Sequence, residues 1–385
     1  MIRAAAIAAA LVVTVVLAIA GWPASLFLER DFVHFWLGAK AVLAGRDLYD
    51  ATLWRAVQYQ LGSSGPILDG AGFRYPPMTA LTVIPFALLP FPLAAAAWYV
   101  GQGAAAVVAL AAIARRTFHA RPRWDLAVLL CFAAVIRPDF IIPTDGNITG
   151  FLVGIVGGAV ALLLAGHPLA AGVLLAFGVV KPHLLIVFVP ALFAFVGLDR
   201  VRLFIGTFTT TAALVLLSFA LQPRWLVEWS EQTLRAGNYA GTNLWGVIPR
   251  EAAWLAWAIA IGLVALLFAW WRITEPSLPV ASGAALAASV LLAPYAFMID
   301  QAVLLVGVAA YVSLVQELAP APRNLLLLLL VAAASPWYMG VLIDVVPVNL
   351  VRLLPVFTVL AMLVVTHTLL AMRASRRIFA VAGSS

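Results

Sequence analysis

Six short polar groups interrupt a chain that is otherwise almost continuously apolar, and their residue types are those of proton transfer and anion binding. Two are carboxylates. Asp31 follows Glu29-Arg30 and heads the run Phe32-Val33-His34-Phe35-Trp36, and Asp300 ends Pro294-Tyr295-Ala296-Phe297-Met298-Ile299. A carboxylate flanked by apolar sequence is costly to bury and is a candidate for taking a proton or facing a cation. The cations are Arg74 in Phe73-Arg74-Tyr75-Pro76-Pro77, Lys181 in Lys181-Pro182-His183, and Arg250 at the mouth of a later apolar run. Lys181 is one of only two lysines, the other basic residues being arginines. A compact ammonium at such a place suits a phosphate as a point charge, with His183 beside it. Gly146-Asn147 after Thr144-Asp145 is the sixth group, and Asn243-Leu244-Trp245-Gly246 stands in one group with Arg250. Tyr75, Asn147, Asn243 and Tyr295 are the candidates for lining a substrate cavity.

Each group also has a plain structural reading. Asp31 stands where a helix N-cap would be. Tyr75-Pro76-Pro77 makes a turn into a helix, with Arg74 as an interfacial anchor. Gly146-Asn147 is ordinary turn chemistry. Lys181 can snorkel to a membrane surface, Arg250 can cap one, and Asp300 can pair with Arg250 or Lys181. The residues alone leave these alternatives open.

The elements that must position these groups are membrane helices. Of 385 residues 65% are hydrophobic and 10% charged, too little polar surface to cover a soluble core. The apolar residues form long blocks bounded by Pro, Gly and Arg, the signature of helices that need about 20 apolar residues to cross a bilayer. Strand-length alternation, which a transmembrane barrel needs, is missing. The pattern predicts an all-α, polytopic, single-domain protein over residues 1–385 with about twelve crossings. The expected spans are 5–22, 78–114, 124–142, 148–165, 169–181, 184–197, 201–221, 252–271, 278–294, 300–317, 324–340 and 349–372. The first is read as a retained helix because it is long for a cleaved leader. The second must break at Pro85, Pro90 or Pro92. The fifth and sixth are half-length and meet at Lys181-Pro182-His183.

With Arg115, Arg116, Arg121 and Arg123 in the cytoplasm, both termini and the other helix-end arginines fall on that side. The loops near 143–147, 295–299 and 341–348 carry no Lys or Arg and fall outside. Two long outer segments, 23–77 and 222–251, are rich in Trp, Tyr, Arg and acids and are expected to lie on the membrane surface as short amphipathic helices. All six polar groups then face the outside. The lone Cys131 excludes a disulfide within the chain and a cysteine metal site. The +7 net charge is scattered over helix ends, which topology explains without nucleic acid.

The order of these elements resembles glycosyltransferase family 87. Asp31-Phe32 with Phe35-Trp36, Ala39, Ala41, Gly45 and Tyr49-Asp50 is similar to the family's opening. Phe73 with Tyr75-Pro76-Pro77 is similar to its Tyr-Pro-Pro element, Gly146-Asn147 to a Gly-Gln pair, and Gly172 to Lys181-Pro182 to a run ending in Lys near Pro. Asn243 to Arg250 and Pro294-Tyr295 to Asp300 resemble two later elements. The resemblance implies the multi-helix GT-C architecture and transfer of a sugar, as in polyprenyl-phosphate-mannose-dependent mannosyltransferases. It implies an acid of the first outer loop at the reaction centre, carried to Asp31, and a second group late in the chain, carried to Asp300. Two departures are plain: the late element has Met298-Ile299-Asp300 where those mannosyltransferases carry His, and the Gly-Gln pair is Gly-Asn.

The chemistry that follows is transfer of a hexose from a polyprenyl-phosphate-linked donor to a lipid or glycan acceptor, with no cofactor. Asp31 acts as base or acceptor-orienting group and Asp300 as its partner or its replacement, while Lys181, Arg74, Arg250 and His183 meet the donor phosphate. The rival reading is a multi-pass transporter or flippase using Asp31, Asp300 and Lys181 for coupling. A transporter would place ionisable groups near the midplane, whereas here they gather at one face. A cysteine substituted at Ser64 is expected to react with a membrane-impermeant reagent in intact spheroplasts. Reaction only after lysis would invert the arrangement.

Overall fold

The structure is a computed structural model that describes residues 15, 31–50, 52, 54, 73–117, 146–235, 243–316, 318–334 and 348–382. Among these, every regular element is helical. In chain order the helices are α1 (Asp31–Leu43), α2 (Pro77–Ala87), α3 (Phe91–Thr117), α4 (Thr149–Leu164), α5 (Pro168–Ala176), α6 (Phe188–Phe195), α7 (Arg200–Leu221) and α8 (Trp225–Arg235). There follow α9 (Leu244–Val247), α10 (Ala253–Thr274), α11 (Leu278–Leu292), α12 (Leu304–Val315), α13 (Pro320–Ala334) and α14 (Val348–Ala382). Short 3₁₀ turns join α5 to α6 and α11 to α12. The expected spans 5–22 and 124–142 lie outside the described residues.

Four helices are long and apolar enough to cross a membrane singly: α3, α7, α10 and, within α14, Val351–Met372. Seven shorter apolar helices accompany them, some consecutive, so the sequence's apolar blocks do not each become one full-length crossing among the described residues. The surface agrees with a lipid solvent. Phe204, Phe208 and Leu216 on α7 and Trp254, Trp257, Ile261 and Leu266 on α10 are all exposed, a display that water would penalise and hydrocarbon does not. Behind them α11 is buried at every residue from Pro279 to Leu292, packed on α12 and α14.

Without a hydrophobic drive between helices in lipid, close packing relies on small residues. Gly154 faces Ala105 and Gly157 faces Ala109, so α3 and α4 run parallel in close register. Gly172 and Gly206 let α5 and α7 touch backbone to backbone, and a Cβ on Gly283 would come within 2.6 Å of the Gly307 Cα across the α11–α12 crossing.

The chain between α2 and α3 breaks at Leu88–Pro90, while Pro85 stays within α2 and Pro92 sits in the first turn of α3. Proline is harmless in a first turn, where its missing N–H has no intrahelical partner. The junction of α5 and α6 also breaks. Lys181 has φ −141° and ψ 65°, the non-helical backbone that a following proline favours. The N–H groups left open at the start of α6 are taken by Ser289 Oγ of α11, 3.0 Å from Val187 N and 2.9 Å from Phe188 N.

One expectation needs correction. Within residues 23–77 the described helix, α1, does not have the single buried face of an amphipathic helix but is enclosed by protein. Phe32, Val33, His34, Phe35, Leu37, Gly38, Ala39, Ala41 and Val42 are all buried. The cause is a second, smaller core of aromatics around it: Phe32 and Phe35 meet Trp98 at ring distances of 5.1 and 5.4 Å, and Phe35 meets Tyr75 at 4.8 Å. Residues 222–251 supply α8, and this stretch clasps the first. Gln222 donates to the Arg46 carbonyl at 2.8 Å and Trp229 to the Arg74 carbonyl at 3.2 Å. Ile148 and Val180 belong to the smaller core and Leu184, Ala302 and Val303 to the larger, and the hydrogen bonds of Lys181 to Asn147 and Asp300, their near neighbours in the chain, mark the seam between the two.

Candidate active site

At that seam the polar groups converge. Asp31 is the first residue of α1, Asn147 stands two residues before α4, and Thr149 opens α4. Lys181 occupies the break between α5 and α6, and Asp300 lies in the 3₁₀ turn Met298–Val303 before α12. Five side chains from four places in the chain form one hydrogen-bonded network. Lys181 Nζ donates to Asp300 Oδ1 at 2.5 Å, to Asn147 Oδ1 at 2.7 Å and to Thr149 Oγ1 at 3.1 Å. Thr149 Oγ1 also lies 2.9 Å from Asp300 Oδ1 and 2.8 Å from Asn147 Oδ1. Asn147 Nδ2 donates to Asp31 Oδ2 at 2.6 Å.

The valences close. An ammonium has three hydrogens and no acceptor, and Lys181 has three acceptors. Asp300 accepts from Lys181 on Oδ1 and from its own turn's Phe297 N–H on Oδ2, at 2.9 Å. Its side chain is 1% exposed and that of Lys181 4%, so neither charge is solvated and each depends on the other. Asp31 differs, being partly exposed, and it is the carboxylate of the pair that an incoming group can reach.

The elements around the network fix it in place. Gly146 has φ +67°, the left-handed region that favours glycine. A Cβ there would lie 2.8 Å from both the Phe32 Cβ and the Tyr99 hydroxyl, so a larger residue would push Asn147 away from α1. The Gly146 carbonyl accepts from Trp98 Nε1 at 2.8 Å.

The remaining candidates distribute unevenly. Tyr75 stands beside the network: burial, then the charges of Asp31 and Asp300, push its phenol well above the ordinary tyrosine range. The His183 ring packs on Tyr295 with centroids 4.0 Å apart. Burial, then the Asp300 charge, pushes the Tyr295 phenol up to about 12. Arg74 precedes Tyr75 and is partly exposed. It lies close enough to His34 to add to the burial that holds that imidazole neutral, down at about 3. Asn243 is not brought into the network. It caps α9, its Oδ1 accepting from Gly246 N at 2.8 Å, and among the described residues its Nδ2 has no partner. Arg250 opens the 3₁₀ turn before α10, and its side chain lies outside the described set, as do Thr144 and Asp145.

Thr149 was not singled out by the sequence. A threonine at a helix start is common, and only its spacing of two from Asn147 could have drawn attention to it.

An apolar cavity of about 660 Å³ begins at the same place. Ile148, between Asn147 and Thr149, and Val180, beside Lys181, line one end with Trp98, and Arg116 lines the other. Its wall on α3 runs from Trp98 to Arg116, eighteen residues or about 27 Å at 1.5 Å per residue, close to the thickness of a bilayer's hydrocarbon core.

The model for glycosyltransferase family 87 matches residues 73–299, more than half of the chain. No curated protein and no solved structure matches it.

The closed valences of Lys181 and Asp300 predict their mutational behaviour. Removing one partner of a buried pair leaves an uncompensated charge and costs about 3–5 kcal/mol. Asp300→Asn and Lys181→Met should each lower the melting temperature in detergent markedly, and the double variant should recover much of the loss. Single variants as stable as the parent would contradict the pairing.

Proposed function

The chain belongs to glycosyltransferase family 87, and from that premise we propose that it transfers a hexose, mannose first among them, from a polyprenyl-phosphate-sugar. The acceptor is a lipid or an envelope glycan at the outer face of the inner membrane. The fold in this reading is GT-C-like, a bundle of about twelve crossings, with the segments 23–77 and 222–251 on the outer side.

The observation that carries the reading is an apolar groove, about as long as a membrane is thick, lined by Ile148 and Val180, the immediate chain neighbours of Asn147, Thr149 and Lys181 in the acid-bearing network. A nucleotide sugar has no use for such a groove, and a carrier lipid needs one. The groove takes the polyprenyl chain, which leaves the phosphate at the seam near Ile148 and Val180, beside the acids.

The reaction is a single displacement. The acceptor hydroxyl oxygen attacks the anomeric carbon, Asp31 removes its proton, and the bond from that carbon to the phosphate oxygen breaks. The electron pair leaves with the polyprenyl phosphate, which gains negative charge, and the anomeric centre inverts. Cations placed where that charge develops stabilise the transition state. The hydrogens of Lys181 are committed to Asn147, Thr149 and Asp300, so Lys181 serves the phosphate as a fixed charge, while direct contacts fall to Arg74 and Arg250, with His183 alongside. Tyr75 and Tyr295 flank the sugar. Asp300 holds Lys181 in place and acts as Asp31's partner, not as a second free base. The transporter reading has no comparable support, since family membership and the acid that remains accessible both point to transfer.

The test joins chemistry to product. Mass spectrometry of membrane lipids and envelope glycans, with and without the gene, should show loss of one hexose from an acceptor, restored by the parent gene. In vitro, Asp31→Asn should lower the transfer rate by about 10²–10⁴-fold, the usual worth of a general base, with donor affinity little changed. Asparagine is among the best N-caps, so a purely capping Asp31 would leave the rate intact and defeat the assignment.

A further inference from the structure

Asn147 stands between the accessible acid and the buried ion pair, and its geometry is determined from both sides. Its amide oxygen faces three donors: Lys181 Nζ at 2.7 Å, Thr149 Oγ1 at 2.8 Å and Thr149 N at 3.2 Å. An ammonium can only donate and a carboxylate can only accept. The amide therefore has one orientation that satisfies both neighbours, oxygen toward Lys181 and nitrogen toward Asp31. Asn147 Nδ2 reaches Asp31 Oδ2 at 2.6 Å. Asn147 itself is 6% exposed, and the glycine before it is pinned against Phe32 and Trp98. A side chain so enclosed, with its acceptor and one donor already used, is poorly placed to read a substrate.

We propose that Asn147 is the positioning residue of Asp31, with Lys181 and Thr149 acting through it to hold the carboxylate in one orientation toward the acceptor. This rests on the reading of Asp31 as the base. It changes the part played by three residues. Asn147 leaves the substrate-lining set, Lys181 becomes the anchor of an amide as well as the partner of Asp300, and Thr149 joins the machinery. The logic is that of a hydrogen-bonded orienter behind a catalytic base, with an amide as the link and a buried ion pair as its fixed support. A donor to the ionised carboxylate also favours its charged form. Among the described residues, Tyr75 before α2 lies close enough to feel the Asp31 charge, with Arg74 acting on the same phenol, and Lys181 and Asp300 stand beyond Asn147.

The test is an infrared titration of the full-length protein in lipid nanodiscs, needing no substrate. The Asp31 carboxyl band is assigned by its loss in Asp31→Asn. In Asn147→Asp two carboxylates face each other where an amide faced one, and the Asp31 midpoint should rise by about one unit or more. Asn147→Ala, which removes the donor, should raise it by less, and Asn147→Gln, which keeps an amide, should return it toward the parent. Thr149→Val loosens the amide without touching Asp31 and should move the midpoint in the same direction, and it serves where the Asn147 variants fail to fold. Midpoints unchanged in the folded variants would overturn the proposal. Absence of transfer from polyprenyl donors by the parent protein would instead defeat the donor assignment and leave the titration as it stands.

Discussion

The ion pair between Lys181 and Asp300 is the constraint around which this end of the molecule is arranged. An ammonium and a carboxylate, each almost wholly buried among apolar helices, cost several kcal/mol per ion to desolvate, and their attraction offsets this only when the remaining valences are filled. The chain meets the condition with pieces from distant places. Lys181 is exposed to the seam because Pro182 breaks the helix, and the N–H groups that the break frees are collected by Ser289. Asp300 is held by the N–H of Phe297 in its own turn. Thr149 and Asn147 arrive at the start of α4, beside a glycine whose backbone only the absence of a side chain permits. Through Asn147 the arrangement reaches Asp31, the one member open enough to meet a reactant. The buried pair is support, and the accessible acid is where chemistry can occur.

The same residues explain what the sequence made legible. Asp31, Lys181 and Asp300 stood out because an ionisable group inside apolar sequence is costly and therefore rare. That argument needs no structure and says nothing about partners, which is why Lys181 was expected at a phosphate and is found with all three hydrogens taken. The proline breaks were legible for the same local reason, although only Pro90 and Pro182 mark real interruptions, while Pro85 and Pro92 are absorbed into helices. Thr149 was invisible because its role depends on Lys181 and Asp300, 32 and 151 residues later in the chain. Asn243 was chosen for its company in the sequence, and its amide oxygen caps α9. The burial of α1 was missed because aromatics flanked by charges read as an amphipathic helix, whereas the rings of Trp98 and Tyr75 packed on Phe35 enclose it in protein.

The fold manages its apolar surface in two ways. On α7 and α10 large side chains point outward, as lipid-facing helices require. Between α2, α3, α4 and α5 the small residues Ala105, Ala109, Gly154 and Gly158 instead leave a groove. Gly154 and Gly158 thus serve two ends, allowing α4 to approach its neighbours while keeping the groove wall low. The groove and the network share Ile148 and Val180 as neighbours, so a lipid-borne headgroup would be delivered to the acids by the same packing that holds α4 in place.

The central claim is that Asp31 and Asp300, remote in sequence, act as one centre through Asn147 and Lys181. A double-mutant cycle on the single-turnover transfer rate tests this most directly, comparing the parent with Asp31→Asn, Asp300→Asn and the double variant in folded protein. Residues that act as a unit give strongly non-additive losses, so the double variant should be about as slow as the slower single one. Losses that multiply, as for independent sites, would contradict the account.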